Sequence, residues 1–289
     1  MRYRFVREHQ KQFPVVMLCR VMRVASSGYF AWLHRPESPR AKANRALAAR
    51  IKAAHARSHK TYGRRRICIQ LQRDGVVCSP NRVARLMRQE GICGLRRRAY
   101  KPTTDSHHSF PVAPNLLARD FTATAPNQIW VSDITYLPTQ EGWEYLATVM
   151  DLYNRRVVGW AMQSTLKRSL TLRALAMAVA QRRPGPGLIH HSDRGSQYAC
   201  EDYQKALQRQ GMLPSMSRKG DCWDNAPGES LFGTLKCELV HRWGRPSHEQ
   251  ARREVFEYIE VFYNRQRLHS SLGYLSPVDF ESQSVAEAA

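Results

Sequence analysis

The stretch QIWVSDITYL, residues 128–137, decides the fold of the C-terminal part of the chain. Its apolar and polar residues alternate as in a β-strand with one buried face. Residues 143–151 and 155–162 alternate in the same way, and Asn154 marks a turn between them. We therefore predict three consecutive strands that form a meander.

Helices and strands alternate after the meander. A Pro-Gly repeat at 184–187 ends the first of these helices, and short apolar runs mark the strands. This order is typical of an α/β layer. We predict helices at about 169–183, 200–210 and 226–241, strands at 188–191 and 212–216, a last helix at 247–263, and then a polar tail. On this pattern the core spans 125–245, and the C-terminal helix and tail span 246–289.

The part before the meander has a helical pattern. Residues 1–40 suggest a helix–turn–helix-like segment with its turn at 25–28, and 44–100 suggest a helical domain with helices at 44–58, 64–73 and 80–90. Residues 101–124 are rich in proline and lack periodicity, so we predict a linker there.

The helix at 80–90 has the clearest boundaries. Ser79 is a suitable N-cap, Pro80 suits the first helical position, and Gly91 ends the helix. The arginines that we expect to bind DNA lie on this helix and just after it: Arg82, Arg85, Arg88, Arg96, Arg97 and Arg98. Such a helix is typical of a helix–turn–helix DNA-binding domain, although a helical bundle with a solvated basic face gives the same pattern.

Charge separates the two parts of the chain. The 289 residues carry a formal net charge of +21, and residues 1–120 hold 26 Lys and Arg against 6 Asp and Glu. This excess indicates a polyanionic partner, either nucleic acid or an anionic membrane surface. The longest apolar run, 174–180, is far shorter than the ~20 residues of a membrane span, and the N-terminus lacks an apolar signal segment. We expect an intracellular protein with reduced cysteines.

Three acids occupy informative positions. Asp133 lies inside a predicted strand, where Asp is disfavoured. Asp193 directly follows the strand at 188–191, at the strand end where α/β sheets bind ligands. Glu229 lies in the first turn of the helix at 226–241. Each acid alone could be an ion-pair, turn or helix-dipole residue, but together they predict one site.

Acids gathered around one point repel each other unless a cation neutralises them. We expect Mg²⁺, with Mn²⁺ as a substitute and two ions in the site, held by Asp133, Asp193 and Glu229. Such a site performs phosphoryl transfer. Asp151 is the best alternative acid.

Other candidates near these acids favour structural roles. We expect His190 and His191 to pack or contact DNA rather than bind metal. Asp221 and Asp224 suit loop or capping positions, and Trp223 could stack on a DNA base or pack.

These residues form familiar motifs. The chain resembles the transposases of bacterial insertion sequences of the IS-three family, in particular the product of their downstream reading frame. The resemblance covers nearly the whole chain and lies in these segments: Asn115-Leu116-Leu117, Arg119-Asp120-Phe121, 130–136 (WVSDITY), 190–198 (HHSDRGSQY), 224–232 (DNAPGESLF), Tyr263-Asn264-Arg265 and 272–280 (LGYLSPVDF).

The resemblance implies an RNase H-like, integrase-type catalytic core preceded by an all-α helix–turn–helix region. It places the three DDE acids of the family on Asp133, Asp193 and Glu229, and a basic DNA-contacting residue on Lys236. One departure is Pro227-Gly228, where the family commonly has bulkier, helix-favouring residues. Glycine loosens a first helical turn, so we expect Glu229 to be held less tightly.

The resemblance also implies partners. These are double-stranded DNA, as terminal inverted repeats and as target, a second copy of the chain on that DNA, and an upstream-frame protein with another helix–turn–helix and a zipper. It suggests a copy-out pathway in the bacterial cytoplasm, at the nucleoid. We predict a DNA transposase that nicks and transfers strands at the element ends. The alternatives are a hydrolytic nuclease on the same fold and a DNA-binding regulator without activity.

Overall fold

The computed structural model describes residues 1–95, 110–218 and 222–288. The chain divides into two compact units, Met1–Lys52 and Ala53–Ala289. The first contains three short helices and most of a fourth: α1 (Arg2–His9), α2 (Val15–Val21), α3 (Ser26–His34) and α4 (Pro39–Arg57). The core of α1–α3 is built from Val6, Leu18, Cys19 and Tyr29.

The predicted turn at 25–28 was wrong, because α3 already begins at Ser26. The chain turns earlier, at Arg23, whose φ of 54° is left-handed. Gly28 lies inside the helix for a packing reason: a Cβ there would stand 2.5 Å from the Tyr3 hydroxyl. A glycine that permits close approach was therefore mistaken for a turn signal.

The second unit begins with the predicted helical pair, α5 (Arg64–Arg73) and α6 (Pro80–Gln89). The predicted N-cap is confirmed, since the Ser79 hydroxyl accepts a hydrogen bond from the Arg82 amide at 3.3 Å. The apolar stripe of α6 is buried. The segment before α5 also bonds to the C-terminal part of the chain, because the Leu268 amide donates to the Tyr62 hydroxyl at 2.7 Å.

A five-stranded sheet forms the centre of the second unit. Its strands are β1 (Ile129–Thr139), β2 (Gly142–Asp151), β3 (Val157–Gln163), β4 (Ile189–Ser192) and β5 (Leu213–Met216). They lie in the order β3-β2-β1-β4-β5. β1, β2 and β3 are antiparallel neighbours, as the meander predicts, whereas β4 and β5 run parallel to β1. This mixed sheet with its helices has the architecture of an RNase H-like fold.

Helices cover the sheet and bury its apolar side chains. They are α7 (Arg168–Arg182), α8 (Ser196–Ala199), α9 (Glu201–Arg209) and α10 (Ala226–Glu238). Helix α7 packs closely on β3, because a Cβ at Gly159 would lie 2.2 Å from the Ala174 carbonyl oxygen. The shared core includes Trp130 and Leu170. This core fixes β1 and β4, the two strands that carry the candidate aspartates.

The C-terminal region differs from the prediction of one helix and a polar tail. Helix α11 (His248–Phe256) passes into a π-helical segment, Glu257–Tyr263. The predicted tail contains α12 (Pro277–Ala288), which the Ser276 hydroxyl caps by accepting from the Asp279 amide at 3.2 Å. Ser276-Pro277 repeats the start signal of α6, but the polar residues that follow concealed it.

Residues 110–124 of the predicted linker contain no helix or strand, yet they bond to the core. The Leu116 amide donates to the Ser215 hydroxyl at 2.9 Å, and the Asn115 side chain donates to Asp224 at 2.9 Å. Within the described ranges, none of the helices has the length and apolar character to cross a membrane.

Candidate active site

Two aspartates stand side by side on neighbouring strands. β1 and β4 are parallel, and the last residues that pair between them are Ser132 and Ser192. Asp133 is the next residue of β1, and Asp193 directly follows the last residue of β4. The register of the sheet therefore brings together two acids that 59 residues separate in the chain.

Backbone amides hold both carboxylates. The Asp133 Oδ1 accepts from the Ile134 amide at 2.8 Å, and the Asp193 Oδ1 accepts from the Gly195 amide at 2.9 Å. A Cβ at Gly195 would lie 3.0 Å from the same Asp193 oxygen. The glycine thus lets the loop close tightly around the carboxylate.

Helix α10 brings Glu229 towards this pair. The helix packs against β1, and Glu229 lies in its first turn. A Cβ at Gly228 would stand 3.1 Å from the Asp133 Oδ2 and 3.2 Å from the Asp133 Cβ. The departure Pro227-Gly228 therefore has a different meaning from the predicted loosening. Gly228 leaves room for α10 to approach the strand that carries Asp133.

The three acids gather negative charge at this site. Burial raises the pKa of Asp133 well above its usual value, and the negative charges of Asp193 and Glu229 raise it further. Burial also raises the pKa of Glu229. Lys236, two turns beyond Glu229, is the cation that opposes this shift at Asp133, and burial lowers its own pKa. A bound cation would relieve the repulsion.

The donor set fits a hard cation. In the described residues no group of three or more His, Cys, Asp or Glu side chains is already arranged to hold a metal ion. Mg²⁺ does not need such a cage, because it usually binds one or two carboxylates, several waters and the phosphates of the substrate. The paired oxygens of Asp133 and Asp193 meet that requirement.

The two histidines before Asp193 serve the core. His190 is buried, and its Nε2 bonds to the Ser132 hydroxyl at 2.8 Å and the Tyr203 hydroxyl at 3.0 Å. His191 contacts the Ser215 hydroxyl through Nδ1 at 2.9 Å. Burial lowers the pKa of His190 to about 3 and that of His191 to about 4, so both rings are neutral at pH 7. They pack beneath the acids, as predicted.

The other acids near the site have structural partners. Asp151 is fully buried, and it accepts from the Asn127 amide at 2.8 Å and the Tyr153 amide at 3.0 Å. Asp224 is buried between Arg119 and Arg218. Asp221 and the side chain of Trp223 lie outside the described residues. The alternative acids are therefore engaged elsewhere.

The predicted DNA-binding arginines fall into two groups. On α6, Arg85 and Arg88 are exposed and Arg82 is partly exposed, on the helix faces away from the buried stripe. Arg96, Arg97 and Arg98 lie outside the residues that the structure describes.

Sequence reasoning missed Tyr136. This half-exposed residue of β1 contacts Tyr145 edge to face, with ring centroids 5.2 Å apart, and Trp143 at 6.2 Å. Burial raises its pKa, and the charges of Tyr145, Asp193 and Asp133 raise it further. Tyr136 lies three residues after Asp133 on β1, so strand alternation directs the two side chains to opposite faces of the sheet, and the spacing gave no signal for Tyr136.

Comparisons with known proteins agree with this arrangement. A family model described as an HTH-like domain matches residues 42–100. Models described as an integrase core domain match residues 123–222 and 229–285.

Two solved structures align with this chain at low similarity. A simian T-cell lymphotropic virus intasome in complex with PP2A regulatory subunit B56 gamma aligns with a TM-score of 0.47 and 14% identity, over 80% of this chain and 74% of that one. The HTLV-2 integrase catalytic core domain in complex with magnesium aligns with a TM-score of 0.43 and 14% identity, over 55% and 99%.

Curated relatives match along the whole chain. The uncharacterized 31 kDa protein of insertion element IS600 from Shigella sonnei is 46% identical, over 92% of this chain and 98% of the relative. Transposase InsF of insertion sequence IS3A from Escherichia coli K12 is 42% identical, over 99% of this chain and 100% of the relative. With its helix–turn–helix-like and integrase core regions, the chain belongs to the IS3 family of transposases, as the sequence motifs predicted.

Proposed function

We propose that this transposase nicks DNA at the ends of its insertion sequence and joins those ends to a new strand, with Asp133, Asp193 and Glu229 as its catalytic acids. The observation that carries the proposal is that Asp133 and Asp193 each directly follow the last paired residues of β1 and β4, Ser132 and Ser192, together with the close approach of α10 at Gly228. Two strands and one helix, rigid elements of one unit, thus converge on one point.

The three acids would hold Mg²⁺, or Mn²⁺ in its place. Two such ions, when bound, would activate the attacking oxygen and stabilise the leaving oxygen of the phosphodiester. The protein supplies position and charge. The Ile134 and Gly195 amides fix one oxygen of each aspartate and so orient the two carboxylates.

Lys236 would contact the DNA phosphate near the acids. The negative charge of Asp133 raises the pKa of Lys236. Lys236 lies on α10 seven residues after Glu229, about two helical turns away.

The exposed arginines of α6 would select the DNA end. Arg82, Arg85 and Arg88 would lie in the major groove, as the second helix of a helix–turn–helix does. We also propose that several copies assemble on the DNA and that an upstream-frame protein takes part.

The experiment combines the full chain, a linear DNA that carries the element ends, and a target plasmid. We expect joined products with Mg²⁺ or Mn²⁺, binding without chemistry in Ca²⁺, and no product with a chelator. Cleaved but never joined DNA would instead indicate a hydrolytic nuclease. Joined products in the presence of chelator would contradict the metal-dependent mechanism.

A further inference from the structure

A cavity lies against a face of α10 other than the one that carries Glu229. Its volume is about 440 Å³, and Ser230 and Thr234 of α10 line it, whereas none of the three acids does. Helix α5 contributes Arg66, the turn between β2 and β3 contributes Arg155, and the segment after Tyr263 contributes Arg267. Three parts of one unit thus direct an arginine into one cavity.

The cavity has an excess of positive charge. No carboxylate lines it in the described residues. The nearest acid, Glu238, is already engaged, because its two oxygens accept from Arg267 at 2.8 Å each. Arg66 lies 3.9 Å from the same carboxylate. This one carboxylate therefore compensates two of the three guanidinium groups, those of Arg267 and Arg66.

Arg155 is the least compensated of the three. Among the described residues no carboxylate forms an ion pair with it, and burial lowers its pKa. Burial lowers the pKa of His269, a residue of the cavity wall, and the charges of the three arginines lower it further, so its ring is neutral at pH 7. Arg155 is partly buried, and an anion in the cavity would compensate its charge.

The backbone of Arg155 is strained. Its φ is 59°, in the left-handed region that glycine or asparagine adopts more easily. The turn around it is tight: the Asp151 amide donates to the Arg156 carbonyl at 2.9 Å, and the Asn154 side chain accepts from the Arg156 amide.

We propose that this cavity binds a backbone phosphate of the DNA that the transposase holds. Guanidinium groups bind phosphate oxygens in a bidentate manner, and Ala226 in the first turn of α10 also lines the cavity, where backbone amides of a helix N-terminus favour an anion. The inference rests on the proposed function, because α10 also carries Glu229. The cavity would hold the DNA on one face of α10 while the acids act on another.

The test measures how the affinity of the full chain for a short duplex depends on salt. Each phosphate contact contributes about 0.9 to the slope of log affinity against log salt. We expect Arg155→Gly to lower the slope by about 0.9. Its deficit in affinity relative to wild type should accordingly shrink about threefold between 50 and 200 mM salt.

The matched control is Arg183→Gly. Arg183 is also an arginine with a left-handed φ, 43°, and it is exposed and does not line the cavity. Glycine relieves the backbone at both positions, so neither variant should be less thermally stable than wild type. Arg155→Lys keeps the charge and should keep the slope, with weaker binding. It also provides the readout if the glycine variant fails to fold.

An unchanged slope in Arg155→Gly, or an equal fall in Arg183→Gly, would overturn the proposal. Inorganic phosphate provides a second arm. If phosphate raises the melting temperature of wild type but not of Arg155→Gly while the DNA slope is unchanged, the cavity is a free-anion site and the assignment to DNA fails. Retention of joining by Asp133→Asn would contradict the proposed function instead, whatever the slope.

Discussion

Two carboxylates of the same unit, Asp133 and Asp224, have opposite surroundings. Burial and the charges of Asp193 and Glu229 raise the pKa of Asp133 well above its usual value. Hydrogen bonds from Arg218 hold the pKa of Asp224 well below its usual value, and Arg119 adds to the effect. Asp224 lies five residues before Glu229 in the chain, so sequence proximity alone does not distinguish their roles.

The difference distinguishes a structural acid from an acid that we propose to bind a metal ion. Asp224 accepts bonds from Arg218, Arg119 and Asn115, so its charge is already compensated. Asp133 faces acids, and its compensation must come largely from outside the protein. Strongly perturbed carboxylates with like-charged neighbours are typical of functional sites.

The largest expected effect is on chemistry. Asp133→Asn, Asp193→Asn and Glu229→Gln each remove a carboxylate from the proposed metal site. We expect each to lower strand cleavage by about 10³-fold or more, since metal ions supply several kcal/mol to such reactions. Gel assays of cleavage and of DNA binding measure both properties. Binding should remain, and a variant that keeps most cleavage would exclude its residue from the site.

The structural acid should show the reverse behaviour. Asp224→Asn leaves two arginines opposite a buried amide, so we expect a loss of about 3 kcal/mol in the free energy of unfolding. Denaturant titration measures it. Asp202→Asn is the matched control, because Asp202 pairs with Arg168 at the surface and should cost less than about 1 kcal/mol. Equal losses in the free energy of unfolding of Asp224→Asn and Asp202→Asn would contradict the structural role of Asp224.

Gly228 tests how the acids are brought together. An added Cβ would lie 3.1 Å from the Asp133 carboxylate, so Gly228→Ala should displace α10 and lower cleavage about 10- to 100-fold while the chain still folds. The control is Gly244→Ala, where a Cβ would meet open space. Unchanged cleavage in Gly228→Ala would show that the close approach does not matter.

The arginines of α6 carry a smaller effect, on recognition. Arg82→Ala or Arg85→Ala should lower discrimination between an element end and random DNA by about 1–3 kcal/mol if the side chain contacts a base. Competition binding with both duplexes measures this difference. A uniform loss on both duplexes would instead assign the residue to phosphate contact.

Much of the fold and of the candidate site could be predicted from the sequence. The alternation around Asp133 gave the strand, and Ser79-Pro80 gave the start of α6, because both signals are local. Family motifs pointed to Glu229. The packing role of Gly228 could not be predicted, because it depends on the distance between α10 and β1 in the folded chain.

The cavity around Arg155 was equally invisible in the sequence. Its arginines lie at positions 66, 155 and 267, and only the fold brings them together. The structural role of Asp224 also required the fold, since Arg119 and Arg218 approach it from different parts of the chain. Charges that meet through tertiary contacts leave no periodic signal.

We propose that a bound cation compensates the negative charge at Asp133. An acid with a raised native pKa binds its proton more tightly when folded, so stability falls as pH rises from the usual Asp range, about 3.9, to the native value. Above the native pKa of Asp133 the full loss of folding stability is present. Asp133→Asn removes it, at about 1.4 kcal/mol for each pKa unit of the shift.

The most direct measurement is therefore thermal unfolding at pH 7, with and without Mg²⁺, of wild type and Asp133→Asn. Without metal, we expect the variant to be the more stable protein. Mg²⁺ should raise the melting temperature of wild type by mass action and leave that of the variant nearly unchanged. The difference in melting temperature between the two proteins should therefore narrow or reverse. A variant that is less stable than wild type without metal, or an equal response of both proteins to Mg²⁺, would contradict the account.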